Sequence, residues 1–386
     1  MRTLIISPFF HPHKGGSQKY IEELYSHLMK IDKSVKVDVI CYNTTNSSKK
    51  GKYGHFQIYR VGCWQILPGQ FALPNYAELI KTLYKLIRQN KYDFVVSNTR
   101  FFESSWWAPI LAKIINTKSI LIDHCAYHPV HTSKFVRIVA KYIDKIVSPL
   151  ICRLYNRVIV TNEATLQFLR NIGVTNTLKI YGGVDIKYFH KLRINSKRYI
   201  PNLGKSFSKK DIIITFLGRM IPSKGASLLY DASRKLLEIY PHLHFVYAGS
   251  GIMVSKLHKQ KNTYLIGELE KKEVLDLLSS TDILVHPSMH HEGFPNVLLE
   301  AGAMGLPVLA TDKGGTGEII ENNQTGIIIE PTATSIQKAL EDLIIHPSKR
   351  EFIAKHLKEK VTKLFDWDII AKDFQKVLID IRLYSF

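Results

Sequence analysis

Short apolar runs alternate with segments of helical periodicity along most of the chain. Each run is closed by Gly, Pro or polar residues, as buried strands commonly are. Strands that alternate with helices form parallel sheets covered by helices on both faces, so the sequence predicts an α/β fold. The runs lie at residues 4–7, 35–41, 56–61, 94–97, 120–123, 158–161, 212–217, 244–248, 264–266, 283–286, 308–311 and 325–329.

The length of the chain predicts two domains. With 386 residues, of which 45% are hydrophobic, the chain can bury two separate cores. A basic, turn-rich stretch at 190–210 interrupts the alternation of strands and helices and is the predicted linker. It would separate an N-terminal domain at 1–189 from a C-terminal domain at 211–365, followed by a helical tail at 366–386.

The best-defined strand–loop–helix–strand unit is at 283–311, with its predicted helix at 296–304. A loop that leaves a strand and enters a helix presents free backbone N–H groups and a positive dipole end, which favour a phosphate. Glu292 in the loop and Glu300 in the helix can flank one crevice, where Glu300 would accept hydrogen bonds from ribose and Glu292 would face a sugar. Alternatively, Glu300 only complements the helix dipole and Glu292 is a solvated loop residue.

Two cations follow the predicted strand at 212–217. Arg219 and Lys224 lie in the turn after this strand, next to Gly218 and Gly225. Arginine offers phosphate oxygens a planar fork, whereas lysine offers a movable point charge. The pattern predicts that the pair neutralises a diphosphate. The alternative is that both are solvated loop cations.

Two further candidates lie in the N-terminal half. Gly15 and Gly16 precede the first predicted helix, where backbone without side chains can approach a ligand, although a plain loop is the alternative. The spacing is not G-x-G-x-x-G, which argues against a dinucleotide site. His124 follows a strand and would face the ligand crevice, where it could hold a hydroxyl or transfer a proton. His128 and His131 compete for that role, and a purely structural histidine is the simpler interpretation.

These motifs resemble those of the retaining glycosyltransferases of family 4. The resemblance implies the GT-B fold, in which two doubly wound, Rossmann-like α/β domains face each other across a cleft. Gly182 departs from the family, because asparagine is usual at that position. The matching residues are Glu292 and Glu300 of the E-x7-E signature, the Gly293-Phe294-Pro295-Asn296 run after the first Glu, the Gly15-Gly16 pair, Gly218-Arg219 and Lys224-Gly225.

The resemblance also implies a reaction. A sugar would pass from a nucleoside-diphosphate sugar, with UDP favoured over GDP, to an acceptor hydroxyl, with retention of configuration and without a metal or other cofactor. Arg219 and Lys224 would stabilise the departing diphosphate, helped by backbone N–H groups between Gly293 and Val297. Glu292 would position the donor sugar, and His124 the sugar or the acceptor. The N-terminal domain would bind the acceptor, and the helical tail would cross back onto it.

The resemblance and the motifs together predict the residues that bind the nucleotide sugar. Most of them belong to the C-terminal domain. By the resemblance, Gly267, Glu268 and Leu269 border the nucleobase and contact it largely through backbone groups. The predicted residues are Gly15, Gly16, Gly218, Arg219, Lys224, Gly267, Glu268, Leu269, Glu292, Gly293, Phe294, Pro295, Asn296, Val297 and Glu300.

The chain is strongly basic, with 53 Lys and Arg against 33 Asp and Glu and a net charge of +20. Such a charge attracts polyanions or an anionic membrane surface. The sequence lacks zinc-finger, RRM, KH and helix-turn-helix signatures, which argues against nucleic acid as a partner. The segment at 134–157 mixes basic and apolar residues and is predicted to lie on an anionic membrane or, alternatively, to pack as an ordinary helix with a solvated basic face. Pro149 is predicted to break or kink it.

The predicted location is the cytoplasm, with the protein peripheral on the inner face of the cell membrane. No apolar run approaches about 18 residues, the length of a membrane span, and the first residues read as a strand without a cleavage site. The predicted acceptor is a lipid-linked saccharide in surface polysaccharide assembly. Two other classes remain open: a GT-B nucleotide-sugar epimerase, which needs no acceptor, and a non-catalytic polyanion-binding protein.

Overall fold

The computed structural model describes residues 1–13, 15–67, 69, 71–125, 134–193, 198–200, 202–257 and 260–383. The chain forms two compact units. Unit 1 comprises Met1–Gly182 and Trp367–Phe386, and unit 2 comprises Gly183–Asp366.

The division between the units differs from the predicted one. It falls after Gly182, and the described residues of the predicted linker at 190–210 belong to unit 2. The physical reason is that Ile200 and Phe207 are buried in a core cluster of unit 2, together with Ile213. A basic, turn-rich stretch is therefore anchored by two apolar side chains, which a free linker would not bury.

Unit 1 begins with the following helices and strands, in chain order: β1 (Arg2–Ile6), α1 (Gly16–Ile31), β2 (Lys36–Tyr42), β3 (Lys50–Tyr53), β4 (Phe56–Val61), β5 (Cys63–Leu67), β6 (Phe71–Pro74), α2 (Tyr76–Gln89), β7 (Phe94–Asn98), α3 (Ser104–Ile114), β8 (Lys118–Asp123), α4 (Lys134–Tyr142), a π-helical turn (Ile143–Val147), α5 (Ser148–Cys152), β9 (Arg157–Val160), α6 (Glu163–Asn171) and β10 (Thr177–Lys179).

The main sheet of unit 1 has the strand order β10-β9-β8-β7-β1-β2-β4-β3. Its strands are parallel, except that β3 pairs antiparallel with β4. Strands β5 and β6 form a separate antiparallel hairpin. The strand order reverses between β1 and β7, and ligands of open α/β sheets bind beyond the carboxyl ends of the strands at such a reversal.

Unit 2 has these elements, in chain order: α7 (Ile186–Arg193), β11 (Ile212–Leu217), a 3₁₀ turn (Pro222–Lys224), α8 (Ala226–Ile239), β12 (Leu243–Ala248), a second 3₁₀ turn (Val254–Lys256), β13 (Thr263–Gly267), α9 (Lys271–Ser280), β14 (Ile283–His286), α10 (Asn296–Met304), β15 (Val308–Thr311), α11 (Thr316–Ile319), β16 (Ile327–Ile329), α12 (Ala333–Ile345) and α13 (Pro347–Leu364).

The sheet of unit 2 is wholly parallel, with the strand order β13-β12-β11-β14-β15-β16. Apart from the edge strand β13, its strands are largely buried on both faces, as the near-continuous apolar run Ile212–Leu217 illustrates. The chain leaves β11 toward one edge of the sheet and returns to β14 on the other side. The reversal between β11 and β14 therefore marks the ligand-binding position of this sheet.

The last helix, α14 (Trp367–Leu383), belongs to unit 1 although the whole of unit 2 precedes it in the chain. It lies against α1, with the Phe374 ring edge-to-face to the Tyr25 ring at a centroid distance of 5.4 Å. His27 of α1 and Asp368 of α14 form a hydrogen bond of 2.8 Å between Nδ1 and Oδ1. The tail is therefore part of the unit 1 core.

The predicted basic helix at 134–157 is a continuous helical segment made of α4, the π-helical turn and α5. Its regular α-helical pattern is interrupted next to Pro149, by the π-helical turn Ile143–Val147. Pro149 lies in the first turn of α5, where a missing backbone N–H removes no helical hydrogen bond. The irregularity lies just before it, where the N–H of Ser148 donates to the carbonyl of Ile143 and closes the wider turn.

Candidate functional site

Three polar side chains converge at the strand-order reversal of unit 2. Lys224 lies in the loop that leaves β11, His286 is the last residue of β14, and Glu292 lies in the loop between β14 and α10. Because β11 and β14 are neighbours in the sheet, their carboxyl ends bring these residues together. The position is the one that the crevice rule for open α/β sheets predicts.

Glu292 lies between two bases. Its Oε2 atom is 2.5 Å from Nζ of Lys224, and its Oε1 atom is 2.9 Å from Nε2 of His286. The first contact is an ion pair. The second has the distance of a hydrogen bond but not its alignment, and neither Oε1 nor Nε2 has another hydrogen-bond partner among the residues that the structure describes. The Glu292 and Lys224 side chains are only 15% and 19% exposed, so solvent screens their attraction weakly.

The surroundings of Glu292 hold it ionised. Burial by itself would raise the pKa of the carboxyl group, because a charge loses hydration in the interior. His286 and the Lys224 ammonium oppose this effect and lower the pKa well below its usual value. The carboxylate is therefore negatively charged at neutral pH, and its charge is matched by Lys224 within the site.

Close backbone packing fixes the loops around this cluster. Gly225 has a φ of +73°, and a Cβ atom there would lie 2.0 Å from the carbonyl oxygen of Pro287. Gly314 has a φ of +65°, and its Cβ would lie 1.8 Å from the carbonyl oxygen of Glu292. Both conformations and both distances exclude other side chains. The loops after β11, β14 and β15 are thus joined through their backbones, which places Lys224 and Glu292 with little freedom.

Gly293 and Phe294 complete the loop between Glu292 and α10. The carbonyl of Gly293 accepts a hydrogen bond from the N–H of Gly315 at 3.1 Å. The ring of Phe294 packs edge-to-face against Phe365 with a centroid distance of 5.4 Å. Both contacts lie within unit 2 and hold the loop that leads into the helix.

Helix α10 starts at Asn296, and its bounds agree with the helix predicted from the sequence. Pro295 precedes it without a side-chain hydrogen bond, and the first turn holds no acidic residue. Asn296 and Val297 are the first two residues of the helix, where backbone N–H groups have no acceptor within the helix. These N–H groups and the helix dipole favour an anion at this end. Glu300 lies in the second turn and is half-buried.

The other predicted donor residues of unit 2 follow β11 and β13. Gly218 and the exposed Arg219 come directly after β11, in the loop that also carries Lys224. Gly267 ends β13, followed by the exposed Glu268 and the half-buried Leu269. All of them lie at the carboxyl edge of the same sheet.

Three predicted residues, Gly15, Gly16 and His124, belong to unit 1. Gly15 is the N-cap of α1 and Gly16 its first residue. No atom lies within 4 Å of the place where a Cβ of Gly16 would stand, among the residues that the structure describes. The competing candidates His128 and His131 lie outside the described residues.

His124 follows β8 and contacts two neighbours. Its Nε2 atom is 3.0 Å from Oδ1 of Asn98, and its ring stands edge-on to Tyr20 with a centroid distance of 4.9 Å. Burial lowers the pKa of His124 to about 4, partly offset by the negative charge of Asp123. The ring is therefore neutral at pH 7. Since an amide oxygen accepts, Nε2 carries the proton, which leaves Nδ1 to accept a hydrogen bond from a hydroxyl.

The residue before His124 is held by a buried cation. Arg100 forms ion pairs with Asp123 at the end of β8 and with Asp144 in the π-helical turn, and each of the three side chains is at most 1% exposed. Nη1 of Arg100 also donates to the carbonyl of Cys125 at 2.7 Å. This arrangement fixes the backbone on both sides of His124.

Sequence reasoning missed His286, Asn98 and Arg100. The first two end strands β14 and β7, so the rule that pointed to His124 would have found them if it had been applied to every strand end. Arg100 gives no such signal, because its partner Asp144 is 44 residues away and belongs to a helix that reads as amphipathic surface.

Two structural findings concern metals and membranes. Within the described ranges, no three His, Cys, Asp or Glu side chains lie together as a metal site would require. The described helices include none that is both long enough and apolar enough to cross a membrane.

Two family models match the chain. "Glycosyltransferase Family 4" matches residues 14–188, and "Glycosyl transferases group 1" matches residues 203–360. The first match lies mostly in unit 1 and begins after β1, and the second lies within unit 2 and covers its whole sheet. Together they span most of the chain.

Full-length relatives carry related names. An uncharacterized glycosyltransferase of Methanocaldococcus jannaschii is 23% identical, with 98% of both chains covered. A phosphatidylinositol N-acetylglucosaminyltransferase subunit of Arabidopsis thaliana is also 23% identical, over 96% of this chain and 80% of that protein.

Solved structures of similar fold span the whole chain. HepE of Anabaena in complex with UDP has a TM-score of 0.75 at 19% identity and covers 98% of this chain and 100% of that one. Sucrose-phosphate synthase of Thermosynechococcus elongatus has a TM-score of 0.77 at 19% identity, with full coverage of both chains. Two parallel sheets, the two family matches and these folds identify the chain as a glycosyltransferase of family 4 with the GT-B fold.

Proposed function

We propose that this glycosyltransferase moves a sugar from a UDP-sugar to a hydroxyl of a lipid-linked saccharide, with retention of configuration. The observation that carries the proposal is the convergence of Lys224, Glu292 and the N-terminus of α10 at the strand-order reversal of unit 2. A cation and free backbone amides suit a diphosphate, and a carboxylate beside them suits the hydroxyls of a sugar.

The proposed reaction places negative charge on the leaving group. The bond between the sugar and the diphosphate breaks, its electron pair stays on the diphosphate, and the acceptor oxygen forms the new bond and gives up its proton to the solvent. Lys224, the exposed Arg219 and the amides at the start of α10 would stabilise that charge. These groups supply the positive charge themselves, so the proposal includes no metal or other cofactor.

The ion pair between Lys224 and Glu292 is compatible with this role. A lysine ammonium has three N–H donors, so Lys224 can keep Glu292 as one partner and bind phosphate oxygens with the others. Glu292 would hold Lys224 in place while its own oxygens face the sugar. In unit 1, the neutral ring of His124 would accept a hydrogen bond from a hydroxyl of the sugar or the acceptor through Nδ1.

The choice of UDP is supported by solved structures of similar fold. HepE of Anabaena was solved with UDP and with UDP-glucose. A thermal-unfolding panel of the purified chain with UDP, GDP, ADP and their common sugars tests the choice. A ligand at 100 times its dissociation constant adds about 2.7 kcal/mol to the folded state, so UDP compounds should raise the unfolding temperature most.

The panel has contrary outcomes. A larger shift with GDP or ADP compounds would show that the donor carries guanine or adenine and not uracil. No shift with any of them would contradict the proposed donor site. Product analysis then separates transfer from isomerisation. An epimerase converts the nucleotide sugar without any acceptor. A transferase releases UDP as it transfers the sugar to the acceptor or, slowly, to water.

The proposed lipid-linked acceptor is supported by the surface of unit 1. Apolar side chains spaced four residues apart form an exposed row along α4, the π-helical turn and α5, and each is at least 44% exposed. Exposed basic side chains lie beside them. The apolar row consists of Ile138, Tyr142, Ile146, Leu150 and Leu154, and the basic residues are Arg137, Lys141, Lys145 and Arg153.

Such a surface matches an anionic bilayer. Apolar side chains would enter the boundary of the acyl chains while lysine and arginine meet the headgroups, and the net charge of +20 adds long-range attraction. The similar Arabidopsis protein is named for phosphatidylinositol, a membrane lipid. A peripheral position on the inner face of the cell membrane is part of the proposal.

Co-sedimentation with vesicles tests this surface. The chain should bind vesicles that contain phosphatidylglycerol, and bind less as salt rises, because screening weakens the attraction. Leu150→Glu should weaken binding without unfolding the protein, since Leu150 is 58% exposed. The matched control is Ile239→Glu on α8, an apolar residue with the same exposure of 58%. Equal binding by both variants would exclude the row as the contact surface.

A further inference from the structure

His286 is a buried histidine for which the proposed reaction has no direct use. It ends β14, it is 4% exposed, and its Nε2 atom is 2.9 Å from Oε1 of Glu292. Both atoms are buried, and neither has a well-aligned hydrogen-bond partner within the part of the chain that is described, so the close approach of one to the other is their polar contact. A buried donor or acceptor without a partner costs free energy, so each of these two atoms depends on the other.

The two oxygens of Glu292 therefore have separate partners. Oε2 meets Lys224 at 2.5 Å, and Oε1 faces His286. The last torsion of a glutamate side chain is broad, so one ion pair alone leaves the carboxylate free to turn. A carboxylate is planar, and holding one oxygen fixes the direction of the other. His286 supplies this second hold from a rigid strand end.

We infer that His286 is a positioning residue of the donor site, which holds Oε1 of Glu292 so that Oε2 stays directed at Lys224. The inference rests on the proposed function, because it gives His286 a role only through Glu292 and Lys224. A carboxylate can only accept, so His286 must present a protonated Nε2. In this role the ring acts through Glu292 and would not itself contact the sugar or the diphosphate.

Two variants separate positioning from packing. His286→Phe keeps a ring in the buried space but removes the N–H donor, whereas His286→Gln keeps a donor that can reach Glu292. The kcat of the Phe variant should fall about tenfold, with a smaller change in the KM for the donor. The Gln variant should recover most of the loss. His27→Gln is the matched control, because His27 is a buried histidine paired with a carboxylate in unit 1.

The pH profile gives a readout that loss of packing would not change. Lys224 and His286 are the cationic or proton-donating groups that lower the pKa of Glu292. Activity that needs ionised Glu292 is present above this pKa and is lost as pH falls through it. The acidic limb of kcat should therefore move to higher pH in His286→Phe and return in His286→Gln.

A second measurement needs no activity. In protein with ¹³C-labelled glutamate carboxyl groups, the Glu292 signal, assigned through Glu292→Gln, should titrate at higher pH in His286→Phe than in the wild type. An unmoved titration and acidic limb would overturn the inference, and so would a Gln variant as impaired as Phe. If the wild type transfers no sugar, the proposed function fails, while the carboxyl titration still decides whether His286 controls Glu292.

Discussion

At the scale of single residues, two opposite charges pair within the proposed donor site of unit 2. Lys224 and Glu292 neutralise each other, and little of either side chain is exposed. An incoming diphosphate would therefore meet the exposed Arg219 and the first amides of α10 as positive groups, and Lys224 as a cation already held by Glu292. Binding would then depend on shape as well as on charge.

Lys224→Ala should reduce turnover by about 10²-fold, because it removes roughly 3 kcal/mol of charge stabilisation from the leaving diphosphate. The measurement is the initial rate of UDP release with saturating donor and acceptor. Lys235→Ala, an exposed lysine on α8, is the control and should leave the rate unchanged. A rate near that of the wild type in Lys224→Ala would remove Lys224 from the mechanism.

His124 makes the stability of the protein depend on pH. In the unfolded chain a histidine takes up a proton near pH 6.5, whereas folded His124 does so only near pH 4. Between these values the unfolded state binds more protons, so stability falls as pH decreases. The urea midpoint of the wild type should drop from pH 7.5 to pH 5, and that of His124→Gln should drop less. Parallel changes in the two proteins would contradict the assignment.

The sequence predicted some of the donor-site cluster and not the rest. Glu292 and Lys224 were predicted because both follow strands, in loops next to glycines that read clearly as turns. The sequence did not show that they pair with each other, since the contact depends on the neighbouring positions of β11 and β14 in the sheet. His286 was missed because it reads as the end of an apolar run, and Arg100 because its partners are distant in the chain.

At the scale of secondary-structure elements, α10 is held by close packing as well as by its loop. It buries most of its residues, and Gly302 faces α13 at close range. A Cβ on Gly302 would lie 2.5 Å from Cγ2 of Val361 and 3.1 Å from Cγ of Leu357. The absence of a side chain at Gly302 therefore sets how near the two helices can come.

Gly302→Ala should destabilise the protein by about 1–3 kcal/mol. On an exposed helix the same change would stabilise by roughly 1 kcal/mol, because alanine has the higher helix propensity. Here the added methyl group collides with Val361, and urea unfolding measures the net effect. Val361→Ala makes room for it, so the double variant should lose less than the sum of the two single changes. Additive losses would mean that α13 does not restrict α10 at this position.

Elements with a strong apolar pattern were predicted well, and those without one were not. α10 was predicted with its observed bounds because a Gly- and Pro-containing loop precedes its apolar residues and Gly305 follows them. β3, with the sequence Lys-Gly-Lys-Tyr, has no apolar run, and pairing with β4 alone makes it a strand. The π-helical turn has no sequence signal of its own, since a spacing of four residues also occurs in ordinary helices.

At the scale of the whole molecule, unit 1 is built from both ends of the chain. α14 contributes Phe374, which is completely buried, to a core cluster that also contains residues of α1 and β1. The residues between, from Gly183 to Asp366, form unit 2. Unit 1 therefore cannot complete its core until α14 has been made.

Phe374→Ala should lower the stability of unit 1 by about 3–5 kcal/mol, because it removes a buried ring and leaves a cavity. Hydrogen exchange should become faster in α1 and β1, while β12 and α8 of unit 2 should keep their protection. Ile379→Ala on the same helix is the control, since Ile379 is 51% exposed and its loss should cost little. Equal loss of protection in both units would show that they unfold together.

The sequence predicted two α/β domains, and the structure has two units with parallel sheets. It did not predict where they divide, because composition describes the polarity of residues 190–210 and not the burial of Ile200 and Phe207 among them. The tail was expected on the first domain only through resemblance. Its apolar spacing identifies a helix but does not say which partner covers it.

Arg100 gives unit 1 a mechanical connection between its surface and its interior. One end of the connection is Asp144 in the π-helical turn, within the segment that carries the exposed apolar row, and the other is Asp123 with the carbonyl of Cys125. Breaking such buried ion pairs is costly. A displacement of the π-helical turn that keeps these ion pairs must therefore move residues 123–125 as well. Movement of the surface segment is thus coupled, through the side chain of Arg100, to the backbone on both sides of His124.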